Sequence, residues 1–244
     1  LQPRPGLYDY AMDAGFGEAV FSDAGHRWTR AEQLSWAMTR GKPYGKPGEV
    51  FHYSDTGYIL LGEILERLTG KPLGEAVASL IDFDRLGLRE TWFETLDSVP
   101  ASAGPRAHQY MDTIDINPVD PSFDLYGGGG LVSDIDDLAS FYRQLIGGRV
   151  FKNPATLDSM IAVSAESVAA NPERGYGMGI ARRQYGDVVC WGHGGFWGSI
   201  ALSCPNADLT IAVSMNRSPD PAFDAGSVVE KVVGLLAPAK TAAR

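Results

Sequence analysis

Two short stretches of the sequence contain side chains that can move protons or hold a substrate. In "FHYSDTGYILLGEILERLTG", Tyr53, Ser54 and Asp55 stand together immediately before a run with helical spacing. In "WGHGGFWGS", His193 is followed by two glycines. Tyr, Asp and His can act as general acids or bases, and glycines in a strand let another backbone approach closely. Both stretches are therefore candidate parts of an active site.

Each of these side chains also has a structural interpretation. The unperturbed pKa of tyrosine lies near ~10, so Tyr53 is a poor base unless a cation favours its phenolate. The alternative is a half-buried tyrosine that ends a turn. Asp55 could serve as the helix N-cap, where aspartate is favoured. Ser54 is a poor candidate nucleophile because spacing alone positions no general base beside it, and a lone histidine such as His193 is more often structural.

The sequence around the first stretch predicts helices. Thr29 and Glu32 have capping-box spacing in "TRAEQLSWAMTR". Apolar residues recur at helical spacing after Asp55 until Gly70, which has the position of a helix-ending C′ glycine. Pro72 then lies in the first turn of a further helix, "PLGEAVASLI". The remaining stretch, 95–126, is rich in Pro, Asp and Ser, and loops of that length usually border a site or a partner surface.

The second half of the chain changes from helical to strand patterns. Ser133 and Asp136 predict the cap of a helix. The Gly127–Gly130 run before it is a turn rather than a phosphate loop, since no Gly-Lys-Ser/Thr follows. Three short β-rich runs, "GDVVCWG", "GSIALSC" and "LTIAVSMN", precede a final helix at about 221–236. This order predicts an α+β fold, in which flanking helices pack on an antiparallel sheet.

Composition argues against several classes of partner. The formal net charge is −9 with no run of Lys or Arg, which argues against nucleic acid. No apolar run approaches the ~20 residues that span a membrane. Cys190 and Cys204 do not make a metal pattern, so we expect buried free thiols, and a disulfide if their strands are neighbours. The sequence predicts neither a metal site nor a cofactor.

Four stretches occur in an order that resembles a known family: "YSDTGYILLGEILERLTGKP", "YGGGGLVSDIDDLASF", "YGMGI" and "WGHGGFWGS…NADLTIAVSMNRS". They resemble the serine β-lactamase and penicillin-recognising family, in the branch of class C β-lactamases, D-alanyl-D-alanine carboxypeptidases and family VIII esterases. The resemblance implies a single β-lactamase/transpeptidase-like domain over 1–244. Its helical part would cover about 1–150, and its C-terminal strands and final helix about 175–238.

The resemblance also implies an acyl-enzyme mechanism. The family's Tyr-x-Asn motif matches Tyr53 and Asp55, although the family usually has Asn where this chain has Asp55. Tyr53 would shuttle the proton of the nucleophilic serine and of the leaving group. Because an ionised carboxylate only accepts hydrogen bonds, the departure at Asp55 weakens the implied recognition of a β-lactam amide and suits an ester or a different peptide side chain.

The third motif of the family matches His193, Gly194 and Gly195. By resemblance, His193 helps to fix a substrate carboxylate or polarises the site, and the two glycines bind substrate. The backbone N–H of Phe196 would be one of two donors in the oxyanion hole. The implied substrate is a small molecule or peptide: a β-lactam, a D-alanyl peptide or an ester.

The family's first motif, Ser-x-x-Lys, has no match, since no serine is followed three positions later by lysine. We expect that the chain begins after this segment, that the N-terminal part of the fold is absent, and that the chain alone is inactive. Two alternatives stay open. The chain could be a non-catalytic binding module, or a truncated product whose uncovered sheet edge associates with the missing segment or with itself. Family members are often exported, but no leader is visible at the start of this chain.

Overall fold

The computed structural model describes residues 4–171, 174–218 and 224–236, which form two compact units. Each unit has its own core and is described by itself. The first unit consists of the described parts of Leu1–His108 and Asp115–Asp137, and the second of those of Gln109–Ile114 and Leu138–Arg244.

Helices dominate the first unit. The predicted capping box is confirmed, because the Thr29 side chain and the Glu32 carboxylate each bond the other residue's backbone N–H. Gly70 adopts the left-handed conformation that ends the third helix, as predicted. Pro72 lies one residue before the fourth helix rather than in its first turn. The helices are α1 (Ala14–Ser22), α2 (Arg30–Arg40), α3 (Asp55–Thr69), α4 (Leu73–Ile81) and α5 (Phe83–Leu86).

The core of the first unit is largely aromatic. The Phe16 ring meets the rings of Tyr10 and Trp28 at centroid distances of 4.9 and 4.7 Å. Ile59 of α3 is fully buried in the same cluster. Aromatic rings bury large apolar areas, so this cluster fixes α3, and with it the Tyr53–Asp55 stretch that precedes and opens the helix.

A glycine contact fixes the loop that follows this core. A Cβ on Gly62 of α3 would lie 2.1 Å from the Tyr126 carbonyl oxygen, so only glycine lets the 127–130 loop lie on the helix. Strand β4 (Leu131–Val132) follows this loop directly. It pairs antiparallel with β1 (Trp92–Phe93), which lies earlier in the chain. Between them in the chain lie β2 (Tyr110–Met111), β3 (Ile114–Asp115) and a 3-10 helix (Pro121–Asp124).

The helix predicted after the glycine run exists, but its cap differs from the prediction. Helix α6 covers Ile135–Ile146, and the Asp134 carboxylate accepts the N–H of Asp137 at 2.7 Å. The Ser133 hydroxyl instead contacts the hydroxyl of Thr91 at 2.9 Å. The expected Ser133 cap is therefore wrong, because tertiary contact draws that hydroxyl away from the helix.

An antiparallel five-stranded meander forms the centre of the second unit, which confirms the predicted α+β class. The strands follow the order β5-β6-β7-β8-β9, so β5 and β9 are its outer strands. Two further helices, α7 (Pro154–Ile161) and α8 (Ala165–Ala170), precede the sheet in the chain. The strands are β5 (Arg174–Tyr176), β6 (Ala181–Tyr185), β7 (Val188–Gly194), β8 (Ser199–Cys204) and β9 (Leu209–Ser214).

Cys190 and Cys204 form a disulfide, with Cα atoms 4.0 Å apart. The pairing of Trp191 with Ser203 places the two cysteines directly opposite each other on β7 and β8. Both are fully buried. The expectation of free thiols is therefore wrong, and the open alternative of a disulfide between neighbouring strands holds.

The final helix, α9 (Ala225–Leu236), packs on this sheet through Val229 and Val233, both nearly inaccessible to solvent. The prediction began this helix at about 221 and extended the strand-and-helix part to about 238, but 221–223 and 237–238 lie outside the described residues. Within the described part of the chain, no helix has the length and apolar character needed to cross a membrane.

Candidate active site

The start of α3 is held by Asp9, which the sequence analysis did not identify. Ser54 occupies the N-cap position but makes no side-chain cap, and its buried hydroxyl donates to the Tyr8 carbonyl at 3.4 Å. Asp55 is the first helical residue, and its N–H donates to Asp9 Oδ1 at 3.3 Å. The alternative of Asp55 as N-cap is therefore wrong, because a carboxylate distant in sequence accepts the helix N–H.

Tyr53 and Asp55 are brought together by this helix start. The Tyr53 hydroxyl lies close enough to the Asp55 carboxylate for each to affect the pKa of the other, and the Tyr53 ring packs against Tyr58 with centroids 5.5 Å apart. Burial, and after it the negative charge of Asp55, raises the pKa of Tyr53 above its ordinary value. In this environment Tyr53 is a neutral phenol that donates to Asp55, and a base only where a cation offsets these effects.

Asp55 shares its surroundings with two further carboxylates, Asp9 and Asp124. Burial, followed by the charges of Asp9 and Asp124, raises the pKa of Asp55 to about 7, against the opposing hydrogen bond from Tyr53. Burial alone raises the pKa of Asp124 to about 7. Near neutral pH both carboxyls therefore exchange between a form that only accepts hydrogen bonds and a form that can also donate one.

The glycine loop lies against these carboxylates. A Cβ on Gly128 would be 3.5 Å from Asp55 Cβ, and one on Gly129 only 2.6 Å from Asp124 Oδ2. A side chain at Gly129 would displace the carboxylate, so the loop is shaped by its close approach to Asp124. The sequence shows the glycine run that packs against Asp124. The spacing of residues along the chain does not indicate that this run lies against the start of α3.

The third-motif residues lie at the end of β7 and in the following turn. His193 Nδ1 is 2.5 Å from the Gly194 carbonyl oxygen, and its Nε2 is 2.7 Å from the Tyr176 hydroxyl of β5. Burial lowers the pKa of His193, and the Arg183 guanidinium lowers it further, against the hydrogen bond to Gly194, which raises it. His193 is thus a neutral imidazole whose two ring nitrogens both have partners.

Some backbone N–H groups in the turn after His193 have an acceptor within the described residues, and others do not. Gly195 N–H donates to the Ser199 carbonyl at 2.7 Å, and Gly198 N–H to the Gly195 carbonyl at 3.1 Å. Among the described residues, the N–H of Phe196 finds no acceptor. The Phe196 side chain is 51% exposed. A backbone N–H at an exposed turn with no internal acceptor is available to an external oxygen atom.

The predicted site residues fall into two groups, one in each unit. Tyr53 and Asp55 meet in the first unit, with Asp9 and Asp124 as additions that sequence reasoning missed. The described residues include no group of three or more His, Cys, Asp or Glu side chains arranged to hold a metal ion. The second unit contains the other group: His193, Gly194, Gly195 and Phe196, with Tyr176 as the addition.

Comparison with known proteins gives consistent results. Residues 6–232 match a family model described as Beta-lactamase. An N-acetylmuramyl-L-alanine amidase of Bacillus subtilis is 26% identical over 204 residues, which cover 70% of this chain and 45% of that protein. A putative D-alanyl-D-alanine carboxypeptidase of Salmonella typhi is 25% identical over 251 residues, covering 89% of this chain and 57% of that protein. The chain therefore spans about half the length of these curated relatives.

A solved structure extends the similarity to the fold. The crystal structure of a D-stereospecific amidohydrolase from Streptomyces sp. matches with a TM-score of 0.80 and 28% identity, over 98% of this chain and 72% of that one. The relatives named here are hydrolases by name. With its family model covering most of the sequence, the chain belongs to the Beta-lactamase family.

Proposed function

We propose that this chain carries the proton-transfer and oxyanion-binding residues of a serine hydrolase that forms an acyl-enzyme. The observation that carries the proposal is the placement of Tyr53 beside Asp55 at the start of α3, where each side chain affects the pKa of the other, in a member of the Beta-lactamase family. The substrate is an amide, lactam or ester of a small molecule or peptide. The amidohydrolase and carboxypeptidase names of the relatives favour bonds at D-amino acids.

Tyr53 is the proposed proton shuttle. Burial, and after it the charges of Asp55 and Asp124, keep the proton on Tyr53, so a cation must enter the site for Tyr53 to act as a base. We propose that the lysine of a Ser-x-x-Lys segment outside these 244 residues supplies that charge, and that its serine is the nucleophile. The serine hydroxyl would attack the substrate carbonyl carbon while its proton passes to Tyr53.

The same proton would then complete the first half of the reaction. As the tetrahedral intermediate collapses, the bond from carbon to the leaving group breaks and Tyr53 protonates that group. Water then attacks the acyl-enzyme, giving its proton to Tyr53, which returns it to the serine oxygen. The backbone N–H of Phe196 is the proposed donor to the negative oxygen of both intermediates, because no described residue accepts a hydrogen bond from it.

Asp55 is the proposed contact to the substrate near the reacting carbonyl. With a pKa of about 7, it offers an acceptor to an N–H or an ammonium group above neutral pH. Below neutral pH the protonated carboxyl can donate to a carbonyl oxygen, as the family's asparagine amide does. A substrate that carries an amino group near the reacting carbonyl therefore fits Asp55 better than one recognised only through carbonyl oxygens.

The test is covalent labelling of the protein with and without its upstream segment. A fluorescent penicillin and a fluorophosphonate are added to each form, and intact mass with peptide mapping identifies any modified residue. We expect no adduct on the 244-residue chain and a stoichiometric adduct when the upstream segment is present. An adduct on a serine within these residues would overturn the external nucleophile, and a complete protein that resists both reagents would overturn the hydrolase proposal.

A non-catalytic binding module is the second candidate, favoured by the absence of any Ser-x-x-Lys pair in the 244 residues. In that case the chain binds a β-lactam or D-alanyl peptide without turnover. Equilibrium binding by calorimetry, followed by product analysis after prolonged incubation, distinguishes the two candidates. Hydrolysis that disappears in the Tyr53→Phe variant would contradict the binding module.

A further inference from the structure

The Tyr176 hydroxyl takes no part in the proposed reaction, yet it makes a short contact with the side chain of His193 in the third motif. Tyr176 lies on β5 in the "YGMGI" stretch, and its hydroxyl is 2.7 Å from His193 Nε2. The two rings meet edge to face, with centroids 5.6 Å apart. Both side chains are only partly exposed. Which of the two atoms donates depends on the tautomer of His193.

The backbone determines that tautomer. His193 Nδ1 lies 2.5 Å from the Gly194 carbonyl oxygen, which can only accept, so Nδ1 must carry a proton. In a neutral imidazole the other nitrogen is then a bare acceptor. Nε2 therefore accepts the Tyr176 hydroxyl proton. Burial and the Arg183 guanidinium of β6 both oppose a second proton on the ring.

We propose that Tyr176 is a positioning residue that holds His193 as a neutral Nδ1–H imidazole, so that the third motif recognises substrates without a free carboxylate. Neither ring nitrogen has a proton left to donate, since one N–H already serves Gly194 and the other nitrogen accepts Tyr176. This inference rests on the proposed function only where it concerns substrates. It replaces the role in carboxylate fixation that the family resemblance implied for His193.

The way in which proteins bind carboxylates explains why the protonation state of His193 matters for substrate recognition. A substrate carboxylate is bound through donors, and charged donors bind it most strongly. A neutral ring whose two nitrogens are both engaged offers none. The proposed substrate class is therefore an amide or ester that the third motif binds without needing a free carboxylate.

The tautomer can be measured without any enzymatic activity. The sequence contains four histidines, so a nitrogen-15 histidine-labelled chain gives a simple spectrum, and a His193→Gln variant assigns the signals of His193. We expect His193 in the wild type to show a protonated Nδ1 and a bare Nε2 at neutral pH. A protonated Nε2 in the wild type would overturn the proposal, and the tautomer itself is measured on the wild type, with His193→Gln used only to assign the signals.

A pair of variants tests whether Tyr176 is responsible. Tyr176→Phe removes the donor to Nε2, so the His193 pKa should rise and the tautomers should mix. Tyr185→Phe on β6 is the matched control, because the Tyr185 hydroxyl makes no hydrogen bond among the described residues. Equal His193 titration curves in the two variants would overturn the positioning role.

The complete protein tests the substrate class. A D-alanyl peptide with a free terminal carboxylate and the same peptide as its amide are compared by kcat/KM. We expect the amide to be hydrolysed at least as well as the acid, and Tyr176→Phe to lower kcat about tenfold, the effect of one lost hydrogen bond. A strong preference for the free acid overturns the substrate class, whereas hydrolysis of neither peptide contradicts the proposed function and leaves the tautomer result standing.

Discussion

The polar groups at the start of α3 and at the end of β7 differ in how far their charges and hydrogen bonds are satisfied. At the start of α3, burial, followed by the negative charges of Asp9 and Asp124, raises the pKa of Asp55, and burial, followed by the charge of Asp55, raises that of Tyr53. At the end of β7, both nitrogens of His193 have partners within the same unit. The first region is electrostatically unbalanced, and the second is already satisfied.

This difference indicates what each region needs in order to function. Like charges that are held together in a partly buried site disfavour their ionised forms until an opposite charge arrives. The start of α3 should therefore respond strongly to a cation, whether a lysine or a substrate ammonium. The end of β7 should change little on binding, since the hydrogen bonds of His193 are already made, while the Phe196 N–H is among the donors that find no acceptor within the described residues.

The largest expected effect comes from removing the Tyr53 hydroxyl. In the complete protein, Tyr53→Phe should lower kcat by about 10³-fold, within the range of general acid–base catalysis. The Asp55 carboxyl loses the hydrogen bond that favours its ionised form, so its pKa should rise further. Steady-state kinetics with a p-nitrophenyl ester or amide measures the first effect, and the pH profile of the remaining activity measures the second.

Tyr58→Phe is the matched variant for that experiment. The Tyr58 ring packs beside Tyr53 at 5.5 Å, so this variant removes a neighbouring hydroxyl and preserves both rings. Its kcat should fall far less than that of Tyr53→Phe, because Tyr58 only adjusts the pKa of Tyr53 and does not itself carry the proton. If Tyr58→Phe lost as much activity as Tyr53→Phe, the effect would lie in the packing of the helix start rather than in proton transfer.

The disulfide should account for part of the rigidity of the second region. Cys190 and Cys204 are 14 residues apart in the sequence, and a cross-link over a loop of that size stabilises a protein by about 3 kcal/mol. The Cys190→Ala, Cys204→Ala double variant should lose about that amount, measured by urea unfolding. Reductant should lower wild-type stability and leave the double variant unchanged; a wild type that is insensitive to complete reduction would contradict this account.

In the first region, the close contact between α3 and the glycine loop should contribute to the free energy of unfolding, but less than the disulfide does. Gly62→Ala places a Cβ 2.1 Å from the Tyr126 carbonyl oxygen, so α3 and the glycine loop must separate. Overpacking of this kind costs about 2 kcal/mol. Gly17→Ala in α1 meets no atom within 4 Å and should instead stabilise slightly. Thermal unfolding compares the two, and equal melting temperatures would show that the loop yields freely.

Much of the fold could be predicted from local sequence signals. The Thr29–Glu32 capping box, Gly70 at the end of α3 and the β-rich runs of the last third each depend on neighbouring residues, and each is present. The Ser133 cap failed because Thr91, far away in sequence, contacts that hydroxyl. Whether Cys190 and Cys204 form a disulfide depends on the register of β7 and β8. The spacing of the cysteines in the sequence does not determine that register.

The site shows the same limit more strongly. Motif order predicted Tyr53 and Asp55 as candidate site residues, but it could not indicate Asp9 and Asp124, which come close to Asp55 only through folding. Tyr176 was visible within the "YGMGI" stretch without an assigned partner, because the β5–β6–β7 meander brings it to His193. Electrostatic partners of a site residue are set by tertiary contacts, so one sequence reveals the motif and not its environment.

The smallest expected effect is the dependence of stability on pH that the Asp124 carboxyl causes, and it tests the unbalanced charge of the first region. A pKa of about 7 for Asp124 means that the folded state holds a proton that the unfolded state has already released above the ordinary carboxyl pKa near ~4. Stability should therefore fall as pH rises from about 4 to about 7, and remain low above that window. Asp124→Asn removes the contribution of Asp124 to this dependence because its side chain stays neutral, while Asp55 keeps its own contribution.

At pH 8 the Asp124→Asn variant should be more stable than the wild type by about 1 kcal/mol, since a buried amide without a partner offsets part of the relief. At pH 5 the gain should vanish, because Asp124 is then protonated in the folded wild type. The exposed Asp158 of α7 supplies the matched variant, Asp158→Asn, which should change stability equally at both pH values. Urea unfolding at pH 5 and pH 8 measures all three proteins. A gain for Asp124→Asn that is the same at both pH values would mean that Asp124 is ionised throughout, and that the start of α3 already holds a compensating charge.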